Sequence, residues 1–370
     1  MSIEFDDEYL IKLLTDLVNI PSVFPGEKDV MLFLERELEH LGVRTQRLPV
    51  EGDRFNSLTR LGSGSPVFCL NAHSDTMPPN GKSIPQARIE GGIVYGLGAA
   101  DDKASIAAMI TAVKAIAESS VPLNGTLDLL ISVDEEGDAR GVRTAIKHGY
   151  RCDMAVTGEP TSLEIVPTHC GLVFLDIVTH GKSAHGCHPS EGINAIDRMY
   201  ELVAGLRAAV TDFPAHPLVG PPTLNLGIMK GGDRPNRVPD RCEASVDIRL
   251  VPPMTLGQVL AKIENYFADR HGEVEYRVTK QGQPLDTPLD SPLVRALREA
   301  VETMLGRKPP IANWRGWTEA ESFRTGLGID AVVFGPGALV QAHSADEFVE
   351  LEQVHRAARI YADAVLSTLG

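Results

Sequence analysis

The stretch from residue 172 to 282 constrains the fold most, because its hydrophobic period changes in a defined order. VFLDIVTH is strand-like, INAIDRMYELVAGLRAAV helix-like, TLNLGIM and EASVDIRLV strand-like, LGQVLAKIENYFADR helix-like and EVEYRV strand-like. This βαββαβ order is typical of a small ferredoxin-like sandwich, and the stretch is long enough to form a domain. We therefore predict a separate domain over 172–282.

The flanking sequence has a different texture. Helical spacing over 7–19 and 28–41 precedes short apolar runs at 67–71, 126–133, 153–157 and 331–334, with a helical stretch at 101–118. Alternating strands and helices predict a mixed or parallel sheet covered by helices. The predicted fold class is α/β, with a mixed-sheet domain formed by 1–171 and 283–370 and the βαββαβ domain inserted into it.

Composition excludes several classes of function. The chain has 370 residues, 43% hydrophobic and 23% charged, which is typical of a globular protein of two domains. Its net charge of -15 leaves no basic stripe for nucleic acid. No apolar run approaches the roughly 20 residues that cross a bilayer, so no membrane partner is expected.

Cysteine usage and the N-terminal sequence indicate the compartment. The five cysteines are widely spaced without a CxxC pair, which argues against a disulfide framework and against a thiolate zinc site. The opening MSIEFDDEYLIKLL is acidic where a signal peptide is basic. We expect a cytoplasmic protein with reduced thiols.

Polar residues follow the predicted strands. His73 and Asp75 in CLNAHSDTMPP come just after an apolar strand, where ligand sites gather at a sheet edge. Imidazole is a good zinc ligand, and a carboxylate two residues away can accept the other ring N–H. An ordinary polar contact between the two residues is the alternative.

Two acidic clusters allow similar alternatives. Asp101 and Asp102 stand at the start of a predicted helix, where they could cap the helix or bind a metal. Asp134, Glu135 and Glu136 follow another strand, and three adjacent carboxylates repel one another unless a cation or solvent relieves them.

Glu159 in AVTGEPTS and His343 in FGPGALVQAHSADEF also follow apolar strands. One sheet edge could therefore gather two imidazoles and three carboxylates: His73, Asp101, Glu136, Glu159 and His343. Nitrogen and oxygen ligands without thiolate suit zinc, with manganese or cobalt as substitutes.

The ordered set of motifs resembles the zinc-dependent M20 peptidase and deacylase family, of the acetylornithine deacetylase and succinyl-diaminopimelate desuccinylase type. The resemblance covers nearly the whole chain. It rests on HSDT at 73–76, GAADDK at 98–103, DEEG at 134–137, GEP at 158–160, GKSAH at 181–185, GGDRPNRVPDRCEASVDIR at 231–249 and AHS at 342–344.

The resemblance implies a role for each candidate ligand. One metal would be held by His73 and Glu159, the other by Glu136 and His343, and Asp101 would bridge the two metals. The family usually has an apolar residue at the position of Asp102, so the resemblance favours Asp101 as the bridge and leaves Asp102 as a helix cap.

The resemblance also implies catalytic and substrate-binding residues. Asp75 would orient His73, and Glu135 would be the general base. His185 would reach the site of a partner subunit and stabilise the oxyanion, which requires a homodimer. The resemblance thus implies that 1–171 and 283–370 form the catalytic domain, and that 172–282 form a lid or dimerisation domain. Asn236 and Arg249 would hold the substrate, and the Arg fork suits a carboxylate.

The substrate implied is a small N-acyl amino acid or short peptide. YGLG, GINAID and TEA favour an acetylornithine deacetylase-like activity. The alternatives are a succinyl-diaminopimelate desuccinylase, a dipeptidase or carboxypeptidase, and, from a different class, a non-hydrolytic binding protein, against which Glu135 argues. Glu319 could contact a substrate amine or cap the following helix, and Trp317 has no predicted role.

Overall fold

The computed structural model describes residues 3–79, 86–119, 121–270 and 272–370. The chain forms two compact units: the first comprises Met1–Pro167, Thr287–Ala312 and Thr318–Gly370, and the second comprises Thr168–Asp286 with Asn313–Trp317. The domain boundaries drawn from the sequence stay a prediction. They differ from these units at residues 313–317, which they assign to the catalytic domain.

The helices and strands follow in chain order. The helices are α1 Asp7–Asn19, α2 Lys28–His40, α3 Lys103–Glu118, α4 Gly141–Lys147, α5 Ala195–Thr211, α6 Leu256–Phe267, α7 Pro292–Leu305, α8 Ala320–Leu327 and α9 Leu351–Leu369. The strands are β1 Thr45–Glu51, β2 Arg54–Gly62, β3 Val67–His73, β4 Arg88–Glu90, β5 Ile93–Tyr95, β6 Thr126–Ser132, β7 Met154–Thr157, β8 Thr168–His169, β9 Gly171–His180, β10 Thr223–Gly231, β11 Arg241–Leu250, β12 Val274–Gly282, β13 Leu285–Asp286, β14 Asp330–Val333 and β15 Phe348–Glu350.

The main sheet of the first unit has the strand order β1-β2-β6-β3-β7-β14. β1, β2 and β6 pair antiparallel, whereas β3 pairs parallel with β6 and β7, and β14 pairs parallel with β7. The sheet is therefore mixed, as predicted. Because four neighbouring strands run in the same direction, their carboxyl ends meet at one edge, where the candidate ligands follow.

Helix α3 lies in the core of the first unit. Its sequence KASIAAMITAVKAIAE is apolar on most sides, and almost every residue up to Ile116 is buried, as expected for a helix enclosed by neighbours. It packs against α1 and α9. The start of α3 is thus fixed, which in turn fixes the loop carrying Asp101.

Helix α7 shows how local sequence sets an element's ends. Ser291 caps it by accepting a hydrogen bond from the Val294 backbone, Pro292 occupies the first turn, and Gly306 ends it with a φ of 67°. A left-handed φ suits glycine, which has no Cβ to clash.

The second unit is an antiparallel sheet of order β10-β11-β9-β12 with α5 and α6 packed against its apolar face. Burial alternates along β9 and β11, as the two-residue period of a strand covered on one face requires. The element order from β9 to β12 is βαββαβ, which confirms the predicted fold class. Among the helices of the described ranges, none is long and apolar enough to span a membrane.

Candidate metal centre

Three neighbouring strands deliver candidate ligands to one edge of the main sheet. β3 ends at His73, β7 ends two residues before Glu159, and β6 ends at Ser132, shortly before Glu135 and Glu136. Because β6, β3 and β7 are adjacent and parallel, the residues after them converge.

The first cluster consists of His73, Asp101 and Glu159, each offering a ligand atom within 4.8 Å of the others. His73 Nε2 lies 3.0 Å from Asp101 Oδ1. All three side chains are buried, so a cation there would lie inside the protein.

The second cluster consists of Asp101, Glu136 and His343, again within 4.8 Å. His343 Nε2 is 2.8 Å from Glu136 Oε1 and 3.3 Å from Asp101 Oδ2. Asp101 therefore faces both clusters, one carboxylate oxygen toward each histidine. His343 does not directly follow its strand, because β14 ends at Val333 and a long turn-rich segment intervenes.

Asp75 connects the His73 segment to the loop after β6. Its carboxylate accepts hydrogen bonds from the backbone of Glu135 at 3.2 Å and of Glu136 at 2.9 Å. His73 Nδ1 lies 3.0 Å from the backbone oxygen of Asp75 and 3.6 Å from its carboxylate. When Nδ1 donates to Asp75, Nε2 is left free to bind a metal.

Asp102 does not cap α3, which corrects the interpretation of it as a cap. It occupies the position before the helix, but its side chain makes no capping hydrogen bond. The carboxyl group is fully buried, and both its oxygens lack a hydrogen-bond partner among the described residues. Burial raises the pKa of Asp102 to about 8, so a neutral carboxyl is favoured there. The peptide bond between Asp101 and Asp102 is cis.

The pKa values of both histidines are raised above their ordinary value. Burial acts to lower the pKa of His73, but hydrogen bonds and charges from Asp101 and Asp75 outweigh it and raise the pKa well above its ordinary value. Hydrogen bonds to Asp101 and Glu136 raise the pKa of His343 to about 10. In the metal-free protein, protons on both imidazoles therefore balance the carboxylate charge.

The carboxylates are perturbed in opposite directions. Burial raises the pKa of Asp101, but the two histidines outweigh it and lower the pKa well below its ordinary value. For Glu159, burial and the charges of Asp101 and Glu135 raise the pKa well above its ordinary value. Repulsion among buried carboxylates is the property that a divalent cation relieves.

Asp134 and two arginines hold the loop that carries Glu135 and Glu136, and none of the three had a role predicted from the sequence. Asp134 has a φ of 76° and is buried, and its carboxylate accepts hydrogen bonds from Arg54 at 2.7 Å and from Arg140 at 3.0 Å. Asp134 was noted as one of the three adjacent acids, but Arg54 lies 80 residues earlier in the sequence, and only the fold brings it beside Asp134.

Glu319 fits neither predicted role. It is 1% exposed and makes no capping hydrogen bond to α8. Its carboxyl instead accepts hydrogen bonds from Ser132 Oγ at 2.5 Å and from the Val142 backbone, in the first turn of α4, at 3.1 Å. Glu319 thus links the end of β6 to the first turn of α4.

Trp317 belongs to the second unit, where its indole lies against Gly282: a Cβ on Gly282 would be 2.2 Å from Trp317 Nε1. Glycine at position 282 is thus required for this close approach. Lys280 lies 5.7 Å from the centroid of the same ring, which gives Trp317 a packing role within the second unit.

His185, Asn236 and Arg249 all lie in the second unit. The Gly186 backbone N–H donates a hydrogen bond to the backbone carbonyl of Asn236 at 2.8 Å, and His185 pairs with Arg237 in an isolated antiparallel β-bridge. The two loops therefore run side by side. His185 and Asn236 are exposed. Arg249 is partly buried on β11 and pairs with Asp247, Nε to Oδ2 at 3.1 Å.

The residues of the two clusters fit a pair of divalent cations. Their donors are imidazole nitrogens and carboxylate oxygens, a set that zinc, manganese and cobalt accept. Carboxylates outnumber imidazoles, and Asp101 presents its two oxygens in two directions. Because the clusters share Asp101, two ions held there would lie side by side.

A mixed-sheet α/β unit with two acidic clusters sharing one carboxylate defines a class of metal-dependent hydrolase, and comparison with known proteins identifies the family. The profile described as "Peptidase family M20/M25/M40" matches residues 69–367. The chain belongs to this family, and it is a metallohydrolase acting on peptide or amide bonds.

Solved structures share the fold at low sequence identity. Aminopeptidase PepT from Bacillus cereus is 22% identical, with a TM-score of 0.81 and 98% of each chain covered. An M20 family metallo-carboxypeptidase from Sulfolobus solfataricus is 19% identical, with a TM-score of 0.84 and 96% of this chain and 98% of the other covered. The Bacillus subtilis YxeP protein, a dinuclear metal-binding peptidase, is 17% identical, with a TM-score of 0.73 and 98% of each chain covered.

Proposed function

We propose that the protein is a two-zinc hydrolase that cleaves short peptides next to a free carboxylate. The observation that carries the proposal is the pair of clusters sharing Asp101. His73 and Glu159 would hold one ion, Glu136 and His343 would hold the other, and Asp101 would serve both. Cobalt or manganese can substitute, since neither cluster contains a thiolate.

The residues divide the chemistry between them. When bound, a pair of divalent cations supplies Lewis acidity to the scissile carbonyl and lowers the pKa of the attacking water. Glu135 takes the proton from that water and returns it to the leaving amine. Asp75 holds the backbone of Glu135 and so aims this base.

The size of the adjoining cleft favours a peptide. A cleft of about 740 Å³ in the first unit includes His343 in its wall and is lined by Met77, Tyr95 and Leu97. This volume lies within the range of ligand pockets, roughly 300–1,000 Å³, and is far larger than an acetyl group needs. An amino-acid side chain on one side of the scissile bond can occupy it. Aminopeptidase PepT and the metallo-carboxypeptidase, which share the fold, bear peptidase names.

Three residues of the second unit complete the proposal. Arg249 receives the substrate carboxylate with the guanidinium donors that Asp247 does not use. Asn236 contacts the substrate, and His185 stabilises the oxyanion at the site of a partner subunit. The protein would therefore act as a homodimer in the cytoplasm. Full activity of protein that light scattering shows to be monomeric would contradict the role of His185.

A second candidate is deacetylation of an N-acetyl amino acid such as acetylornithine. It is supported by YGLG before Asp101, GINAID after His185 and TEA at 318–320. Succinyl-diaminopimelate is the corresponding alternative within the deacylases.

Zinc-loaded protein assayed against a panel of dipeptides and tripeptides, acetylornithine and succinyl-diaminopimelate separates these candidates. We expect hydrolysis of at least one short peptide. Hydrolysis of acetylornithine alone would replace the peptide by the second candidate. No hydrolysis of any compound by protein shown to contain two metal ions would refute both.

A matched pair of variants tests the roles of adjacent residues. Glu135→Gln should retain both ions and lose about 10²–10⁴-fold in kcat, as expected for a missing general base. Glu136→Gln makes the same chemical change one residue later and should release an ion. Loss of metal from Glu135→Gln would make Glu135 a ligand instead.

A further inference from the structure

One buried carboxylate outside the two clusters connects the segments that supply them. Glu347 follows His343 by four residues and is 4% exposed. Its side chain accepts three hydrogen bonds from backbone N–H groups: Oε2 from Gly98 at 2.9 Å, and Oε1 from Ala100 and Asp101, each at 3.0 Å. All three donors belong to the loop that ends in the shared carboxylate.

The backbone around Glu347 is held to the same region. The Glu347 carbonyl accepts a hydrogen bond from the Gly96 backbone at 3.0 Å, and β15 pairs with β5 immediately afterwards, Phe348 opposite Tyr95. The position of Glu347 is therefore fixed on the main chain as well as on the side chain. These backbone contacts hold Glu347 beside the 98–101 loop independently of its side chain.

Buried backbone N–H groups require an acceptor, because leaving one unpaired costs as much as losing a hydrogen bond. Glu347 is the acceptor for three such groups, those of Gly98, Ala100 and Asp101. If it is removed, these groups must find water or other acceptors, and the loop must move to do so. Movement of the loop displaces Asp101 relative to His343.

We propose that Glu347 is a positioning residue that sets the separation of Asp101 from His343. It thereby sets the affinity for the metal pair, a role that rests on the two-metal site of the proposed function. Partners that orient metal ligands from outside the coordination shell commonly change metal affinity about 10–100-fold when altered. Glu347 differs from a usual partner of this kind because it acts on the backbone of one ligand loop and is covalently part of the other.

The three donors explain why a carboxylate is needed. In Glu347→Gln the amide has one oxygen acceptor, so one of the two sides is replaced by an NH₂ group facing a backbone N–H. Glu347→Gln keeps part of the anchor and Glu347→Ala keeps none. We therefore expect the order wild type, Gln, Ala in metal affinity.

Asp128→Asn is the matched control. Asp128 is fully buried on β6 and pairs with Arg60, Nε to Oδ1 at 2.7 Å and Nη2 to Oδ2 at 2.8 Å. It lies opposite Cys69, toward the other end of the strand from the ligands. The control thus measures the loss of a buried carboxylate that does not contact a ligand loop.

The experiment titrates metal-free wild type, Glu347→Gln, Glu347→Ala and Asp128→Asn with Co²⁺ at one pH, and records stoichiometry, affinity and the visible absorption of bound cobalt. Thermal unfolding of the same metal-free proteins reports stability. For Glu347→Gln we expect about tenfold or greater weakening of at least one ion and an altered cobalt spectrum, whereas Asp128→Asn loses stability and keeps wild-type affinity.

Wild-type affinity and spectrum in Glu347→Gln would overturn the positioning role, even if its stability falls. Equal loss of affinity in Asp128→Asn would also overturn it, since the effect would then follow from stability alone. If Glu347→Ala does not fold, the metal affinity and cobalt spectrum of Glu347→Gln alone test the positioning role. Wild-type protein that binds two ions and hydrolyses no compound of the panel would refute the proposed function alone, because the titration needs no substrate.

Discussion

The buried carboxyl of Glu319 should make the stability of the metal-free protein depend on pH. Burial raises the pKa of Glu319 from 4.5 to about 7, against the smaller opposing effects of its hydrogen bonds to Ser132 and Val142. A folded-state pKa above the unfolded one means that the native state binds the proton more tightly. The contribution to stability is thus complete below about pH 4.5 and is lost as the pH rises through about 7.

The size of the effect follows from the two pKa values. Each pH unit of difference corresponds to about 1.4 kcal/mol, so a rise from 4.5 to about 7 corresponds to about 3 kcal/mol. Glu319 is 1% exposed, so solvent screening does not reduce this value. Glu319→Gln removes the ionisable group and can keep the contacts: the amide oxygen accepts from Val142, and the NH₂ donates to Ser132, which can donate to the Ala72 oxygen at 3.2 Å.

Urea unfolding with EDTA present, compared between wild type and Glu319→Gln, measures the effect. The free energy of unfolding of wild type should fall relative to the variant by under about 1 kcal/mol at about pH 5 and by about 3 kcal/mol at about pH 8. Glu321→Gln, two residues later in the first turn of α8 and paired with Arg143 at 2.8 Å, controls for the general loss of a buried carboxylate. A difference that stays constant over this range, or one matched by Glu321→Gln, would refute the argument.

Three further outcomes follow from packing and charge. Arg54→Met should lower the free energy of unfolding by about 3–5 kcal/mol, because it leaves the buried carboxylates of Glu27 and Asp134 without their shared partner; a thermal unfolding midpoint close to wild type would contradict this. Gly137→Ala should destabilise by about 1–3 kcal/mol, since the new Cβ would lie 2.3 Å from a ring carbon of Phe24, and Phe24→Leu in the same chain should recover part of the loss. EDTA should lower the unfolding midpoint and excess zinc should restore it. At a zinc concentration of 100 times Kd, the free energy of unfolding should rise by about 2.7 kcal/mol. An unchanged midpoint would exclude tight metal binding to the native state.

Periodicity alone predicted the elements that place the ligands. The apolar runs before His73, Glu136 and Glu159 are strands β3, β6 and β7, and the helical stretch after Asp101 is α3. These predictions succeed because alternation and helical spacing are local consequences of which face of an element is buried. The βαββαβ order of the second unit follows from the same rule.

Residues whose roles depend on distant partners could not be assigned from the sequence. Glu347 stands near His343 in the chain, but its three donors lie about 250 residues earlier. Glu319 was predicted to cap a helix or to contact a substrate amine. In the fold it is buried and accepts a hydrogen bond from Ser132. Asp102 looked like a cap, and the fold turned its carboxyl into the interior.

The sequence by itself therefore determined the fold class, the strand-end position of most ligands and membership of a metallohydrolase family, because these depend on local periodicity and short motifs. Only the tertiary structure decided which carboxylate faces both clusters, which acids are buried and what each one contacts. Burial, pKa and hydrogen-bond partners are set by groups that are distant in the chain and are brought together only when the sheet and its helices pack.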